Sequence, residues 1–151
     1  MLELATLSNW EDINRISAQV AELHTQWRPD LFCNAEISYP KELLEEMIRE
    51  KQVFVATING VVVGYTAFYI WSTNGACCVP RKVMSINDFC VDEHCRNQGI
   101  GTQMMMELRA LAKAFGCTDL QLTVYPQNDA AVAFYQKCGF MIKSIDMQRK
   151  V

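Results

Sequence analysis

The stretch Ile86–Met105 reads INDFCVDEHCRNQGIGTQMM, and its reading decides the fold. It continues the run KVMSINDFCV, Lys82 to Val91, which has the composition and length of a strand. After the glycines, Ile100, Met104, Leu108, Leu111 and Phe115 recur at helical spacing until Gly116 stops the pattern. Between strand and helix lies a polar loop carrying Gly99 and Gly101. Glycines permit backbone conformations closed to other residues and let a ligand come close. The first N–H groups of a helix lack intrahelical partners and sit at its positive end, so this junction has the chemistry of an anion cradle. Arg96 adds a positive charge at the rim and Thr102 a hydroxyl.

Two phosphate-binding alternatives fail on these residues. A dinucleotide fingerprint needs a third glycine where Met104 stands, and needs its glycines immediately after the strand, whereas Asp92–Gln98 intervene. A Walker loop needs Gly-Lys-Ser/Thr, which does not follow. A turn that merely starts a helix stays open on this stretch alone.

Outward from the loop, the pattern extends in both directions. LELATL opens with a short strand; Ser8 or Asn9 caps a helix with Ile13, Ile16, Val20, Leu23 and Trp27 on one face, ending before Pro29. A second helix starts at Ser38–Pro40 and carries Leu43, Leu44, Met47 and Ile48. QVFVATI and VVVGYTAFYIW flank Asn59–Gly60, a hairpin signal. Downstream, DLQLTVY is a strand broken by Pro126, and Asn128 or Asp129 caps a helix with Phe134, Tyr135 and Cys138 that stops at Gly139. FMIKSIDMQRKV then supplies a last strand or two. Strand–helix–strand implies parallel pairing and the hairpin antiparallel pairing, so the sheet is mixed.

The chain has 151 residues, 21% of them charged, and a net charge of −3, which suits one ordinary soluble domain spanning 1–151. With no basic patch, nucleic acid is not an expected partner, and the mildly acidic balance weakly favours encounter with cationic amines. No signal peptide or membrane span is read, so the expected compartment is the cytoplasm and no membrane partner is expected. The seven cysteines include no C-x-x-C pair, and His24 and His94 lie far apart, so no metal site is expected. Reduced and mostly buried thiols are expected instead.

Two blocks together, SINDFCVDEHCRNQGIGTQMMMELRALAKAFG and LQLTVYPQNDAAVAFYQKCGF, resemble the GNAT superfamily of N-acetyltransferases. The first matches the family's strand, Q/R-x-x-G-x-G/A and helix; the second matches its strand, Asn, short helix and aromatic pair before Gly-Phe. With FVATINGVVVGYTAF and the helices before it, the resemblance spans nearly the whole chain. It implies an α+β fold: a mixed, mostly antiparallel sheet of about six or seven strands, flanked by about four helices and splayed at its central parallel strands.

The resemblance implies acetyl-CoA as cosubstrate and a primary amine, of a small molecule or a peptide N-terminus, as acceptor, joined by direct attack in a ternary complex. Backbone amides of Asn97, Gln98, Gly99, Ile100, Gly101 and Thr102 would hold the pyrophosphate, beside Arg96. Main-chain groups of Phe89 and Val91 would pair with the pantetheine arm, and an amide near Cys90 or Val91 would polarise the thioester carbonyl. Asn128 would steady the coenzyme and Phe134 would pack along it. Tyr135 occupies the position that often supplies the general acid. Asp88, on the strand just before the loop and three residues ahead of Val91, is the candidate base; Asn87 and Ser85 stand where some relatives carry an acid, a departure from the family's pattern. Glu36 and Tyr39 are weaker candidates for substrate contacts. A Cys95–His94 nucleophile lacks an orienting third group. Exposed final strands often pair in the family, which allows a homodimer. The competing reading is a catalytically silent acyl-CoA sensor or protein-interaction module on the same fold.

Overall fold

Asn59 and Gly60 both take positive φ, 51° and 78°, the geometry of a tight two-residue hairpin turn. They join β2 (Val53–Ile58) to β3 (Val61–Ser72), the hairpin at the centre of this computed structural model, which describes residues 1–35 and 37–151. Glu36 lies outside the described residues. β1 (Leu2–Leu4) pairs antiparallel with β2, and β4 (Lys82–Val91) pairs antiparallel with β3. β5 (Asp119–Leu122) pairs parallel with β4, giving the order β1-β2-β3-β4-β5.

Each face of the sheet has its own core. On one side α1 (Trp10–Trp27) and α2 (Lys41–Arg49) bury Ile13, Ile16 and Leu44 against Val53, Val55, Tyr65 and Cys90. On the other, α3 (Ile100–Ala114) places Met105, Leu108 and Ala112 on Phe68, Met84 and Ile86. α4 (Asp129–Lys137) adds Phe134 and Tyr135 to that second core. Each fully buried Ile or Leu here contributes about 1.5–3 kcal/mol of apolar transfer.

A β-bulge in β4 sets the orientation of the site. Ala67 pairs with Asp88 but Phe68 pairs with Ile86, so Asn87 is an extra residue. Met84 and Ile86 point into the α3 core, and strict alternation would send Asp88 after them. The extra residue turns Asp88 to the α1 side and returns Phe89 to the α3 side.

The expected sixth and seventh strands are corrected by the structure. Among the described residues the sheet has five strands and four α-helices flank it. Residues 140–151 form no strand, although their composition suits one. Strand propensity is realised only where a neighbour satisfies the backbone. Beyond Phe140 the segment touches the body through side-chain bonds, Lys143 to Gln121 and Arg28 to Gln148. Met141 and Met147 are 90% and 93% exposed. The expectation of mostly buried thiols is also corrected. Only Cys90 is buried, and Cys33, Cys77 and Cys78 lie in exposed loops. Among the described residues no helix is long and apolar enough to cross a membrane.

Candidate active site

Parallel pairing of β4 with β5 covers only Val83–Ile86 and Asp119–Leu122. Beyond Ile86, the described residues place no strand on this side of β4 from Asn87 to Val91. The Asp92 N–H bonds the Val63 carbonyl on β3. Backbone groups alternate sides along an antiparallel strand, so those of Val91 and Phe89 face the unpaired edge. Where the two strands part, a cavity of about 210 Å³ is lined by Ser85, Asn87, Gln121 and Thr123 among others.

The cradle loop follows directly. Asp92 accepts a bond from the His94 amide at 3.0 Å and starts a single 3-10 turn, Glu93–Cys95. Arg96 then folds back, its Nε donating to the Val91 carbonyl at 3.0 Å, and Gln98 donates to the His94 carbonyl at 3.2 Å. Asn97 and Gly99 take positive φ, 60° and 80°, which brings the chain round to the first turn of α3. Gly99 is the N-cap, and its carbonyl accepts from the Gln103 amide. The amides of Ile100, Gly101 and Thr102 precede the first intrahelical donor and remain available to a ligand. A side chain added at Gly99 would enter open space, with nothing within 4 Å. Gly101 serves another purpose: a Cβ there would lie 3.4 Å from the Phe134 ring. The two glycines therefore divide the work, one shaping the open cradle and one admitting α4.

Phe134 closes this side, stacked on Phe89 with centroids 5.8 Å apart. Tyr135 packs edge-on against Phe134 and Phe140. Burial first, then the negative fields of Cys90 and Asp88, raise its phenol well above the ordinary range. It therefore keeps its proton at neutral pH. Asn128 caps α4, its Oδ1 accepting from the Ala131 amide at 3.1 Å.

On the opposite face, Asp88 enters a second cavity of about 230 Å³, lined by Ser17, Val20, Ala21, His24, Ser38 and Tyr39. Tyr39 donates its phenolic hydrogen bond to Asp88 Oδ2, and Tyr65 donates to the same oxygen at 3.3 Å. Among the described residues Asp88 Oδ1 has no partner. Tyr39 is itself clamped to α1: Trp10 Nε1 donates to its carbonyl at 2.7 Å, and its amide donates to Asn14 at 2.9 Å. Burial foremost, then the Asp88 charge, raise the Tyr39 phenol far above its ordinary range, so it stays a donor. His24 stacks on Phe32 at 5.1 Å, and burial lowers its pKa against the pull of Asp88.

The pattern that defines the acetyltransferase (GNAT) family matches residues 18–140, most of the chain. The chain belongs to the GNAT acetyltransferase family. It is 27% identical over 132 residues to the L-amino acid N-acetyltransferase AaaT of Escherichia coli, covering 82% of this chain and 76% of that protein. The crystal structure of a mutant of the Bacillus halodurans protein BH1408 superimposes with a TM-score of 0.94 at 26% identity, covering 100% of this chain and 99% of that one. The fold is also shared with the aminoglycoside N-acetyltransferase AAC(6')-Iy solved with CoA, at TM-score 0.71 and 17% identity, over 100% and 99% of the two chains. The protein is thus an acetyl-CoA-dependent N-acetyltransferase.

Placed in this GNAT frame, the cradle and Phe89, Val91, Gly101, Phe134 and Tyr135 converge on the edge between β4 and α3, while Asp88 faces away from it. Sequence reasoning misses Tyr65, His24 and Ser17 around Asp88. Their apolar or helical context in the sequence gives no sign that they meet Asp88, because α1 and β3 come to β4 only in the fold. It also misses Arg15, which pairs with the buried Asp92 and with Asp12 at 3.1 Å, fastening α1 to the cradle loop. Cys90 is buried, and burial first, then Asp88, push its thiol up to about 12, which disfavours the thiolate. His94 is largely exposed and faces Glu93 at 3.7 Å.

Proposed function

We propose that the protein acetylates a primary amine by direct attack, with the coenzyme held along the open edge of β4 and the amine admitted from the Asp88 cavity. The observation that carries this reading is the unpaired edge from Asn87 to Val91 running into the open, left-handed Gly99 cradle. The residues present fit the coenzyme, since free amides and open space coincide at Gly99.

Bound acetyl-CoA would supply an activated acyl thioester and a thiolate leaving group. The amides of Ile100, Gly101 and Thr102, with Arg96, would hold the pyrophosphate; Phe89 and Val91 would hold the pantetheine arm; Asn128 and Phe134 would complete the wall. An outward amide at Val91 stabilises negative charge developing on the carbonyl oxygen. Tyr135, protonated at neutral pH, donates toward the departing sulfur. Asp88 Oδ1 accepts a proton from the incoming ammonium, while Tyr39 and Tyr65 hold the other oxygen still. Positioning two reactants side by side provides much of the acceleration. We further propose that two copies assemble through the 141–151 tail, where Met141, Ile142, Ile145 and Met147 lie exposed.

The test is thiol release from acetyl-CoA across a panel of amines, with coenzyme binding measured in parallel. Release with at least one amine supports the reading. Gly99→Val, which fills the cradle and strains a positive φ, should weaken coenzyme binding at least about tenfold. Tight coenzyme binding with no release on any amine, or unaltered affinity in Gly99→Val, would overturn it.

A further inference from the structure

We propose that the Asp88 cavity selects a compact amine carrying no carboxylate, an alkyl or arylalkyl mono- or diamine, over the amino acid of the same skeleton. This rests on the transfer reading above and names its acceptor class.

Among the described residues the lining carries one anion and no fixed cation. Asp88 presents Oδ1, and around it stand Ser17, His24, Ser38 and Tyr39 with the aliphatic Val20 and Ala21. Burial keeps His24 toward its neutral form, so it offers no fixed positive charge. The nearby cations are already committed. Arg28, one turn beyond His24, forks onto Asp30 with bonds of 2.8 and 2.7 Å. Arg15 is held by Asp92 and Asp12. Lys41 sits over the Trp10 ring at 4.9 Å.

An ammonium entering this cavity meets a carboxylate and gains. An amino acid carries its carboxylate one carbon away from that ammonium. It would bring a second negative charge to within a few ångströms of Asp88, and among the described residues the lining offers it only neutral donors, the Ser17 and Ser38 hydroxyls and one His24 N–H, and no cation. At such separations in a partly buried site, like charges cost enough to shift binding by at least about tenfold. The cavity, about 230 Å³, also lies below the roughly 300–1,000 Å³ usual for larger ligands. The proposal departs from the L-amino acid activity named for the Escherichia coli relative.

Matched pairs decide it: phenethylamine against phenylalanine, and putrescine against ornithine. Thiol release from acetyl-CoA gives kcat/KM for each member, and calorimetry gives binding of each to the CoA-loaded protein. The amine of each pair should be favoured by at least about tenfold. Asp88→Asn should shrink that preference, and Ser38→Arg, which adds a cation to the lining, should raise the amino acid's kcat/KM. Equal or reversed preference in the unsubstituted protein overturns the proposal. If no member releases thiol but the amines bind and Asp88→Asn abolishes that binding, the acceptor class stands and the transfer reading falls. Binding of neither member overturns the proposal.

Discussion

Tyr39 donates its phenolic hydrogen bond to Asp88 across 49 residues of chain, joining the α1–α2 loop to β4. The bond occupies one carboxylate oxygen of a residue that lines the cavity, and among the described residues the other oxygen has no partner. Tyr39→Phe should therefore raise KM for the amine about tenfold, the usual worth of a hydrogen bond to a charged group. Coenzyme affinity should not change, because the cradle lies on the other face. Steady-state kinetics with both substrates varied checks this, and an equal rise in KM for acetyl-CoA would contradict it.

Gly64 shows how little room the cradle's foundation has. A Cβ there would lie 2.6 Å from the Cys90 carbonyl and 3.0 Å from Met104 Sδ. Gly64 also pairs with Val91 at the end of β4. Gly64→Ala should destabilise the fold by about 1–3 kcal/mol, the cost of overpacking. It should also weaken coenzyme binding by displacing Val91. Urea denaturation and calorimetry report the two effects.

The Arg15–Asp92 pair adds a pH dependence. Burial acts to raise the Asp92 carboxyl, but Arg15 and the His94 amide outweigh it and hold it below the ordinary carboxylate range. A depressed carboxylate stabilises the fold above its unfolded pKa, and that contribution is lost as pH falls through the folded value. Arg15→Gln should cost about 1–2 kcal/mol near neutrality, discounted because Arg15 is half exposed. The gap from the parent protein should close as pH drops below about 4. Denaturation curves from pH 7 to pH 3 would show a constant gap if the pair contributes nothing.

Tyr135→Phe removes a proton donor and leaves the ring packing in place. Turnover should fall at least about tenfold, with coenzyme affinity retained. Pre-steady-state thiol release that is unchanged in this variant would remove Tyr135 from the acid role.

Removing residues 141–151 should convert a dimer to a monomer by light scattering. The segment exposes Met141, Ile142, Ile145 and Met147. An identical subunit count for the two forms would dismiss the tail as an assembly arm.

The strand–cradle–helix unit was legible because its signals are local. Glycine at positive φ, the apolar helical stripe from Ile100 to Leu111 and the Asn59–Gly60 turn each follow from neighbouring residues. The separate tasks of Gly99 and Gly101 were not legible, since only packing brings Phe134 to one of them. The tail misled for the same reason: its composition favours a strand, but a strand requires a neighbour. Asp88 was visible as a carboxylate near the loop, but its direction was not, because the bulge at Asn87 reverses it.

From sequence alone came the order of elements as far as α4, the family resemblance and the strand–glycine loop–helix junction, all encoded within short windows of chain. The tertiary structure alone decided which side of the sheet each polar group serves. It set Tyr39, Tyr65 and His24 around Asp88, and Arg15 under the cradle loop. Those meetings depend on contacts between distant segments, where close packing and charge pairing select partners that no local pattern announces.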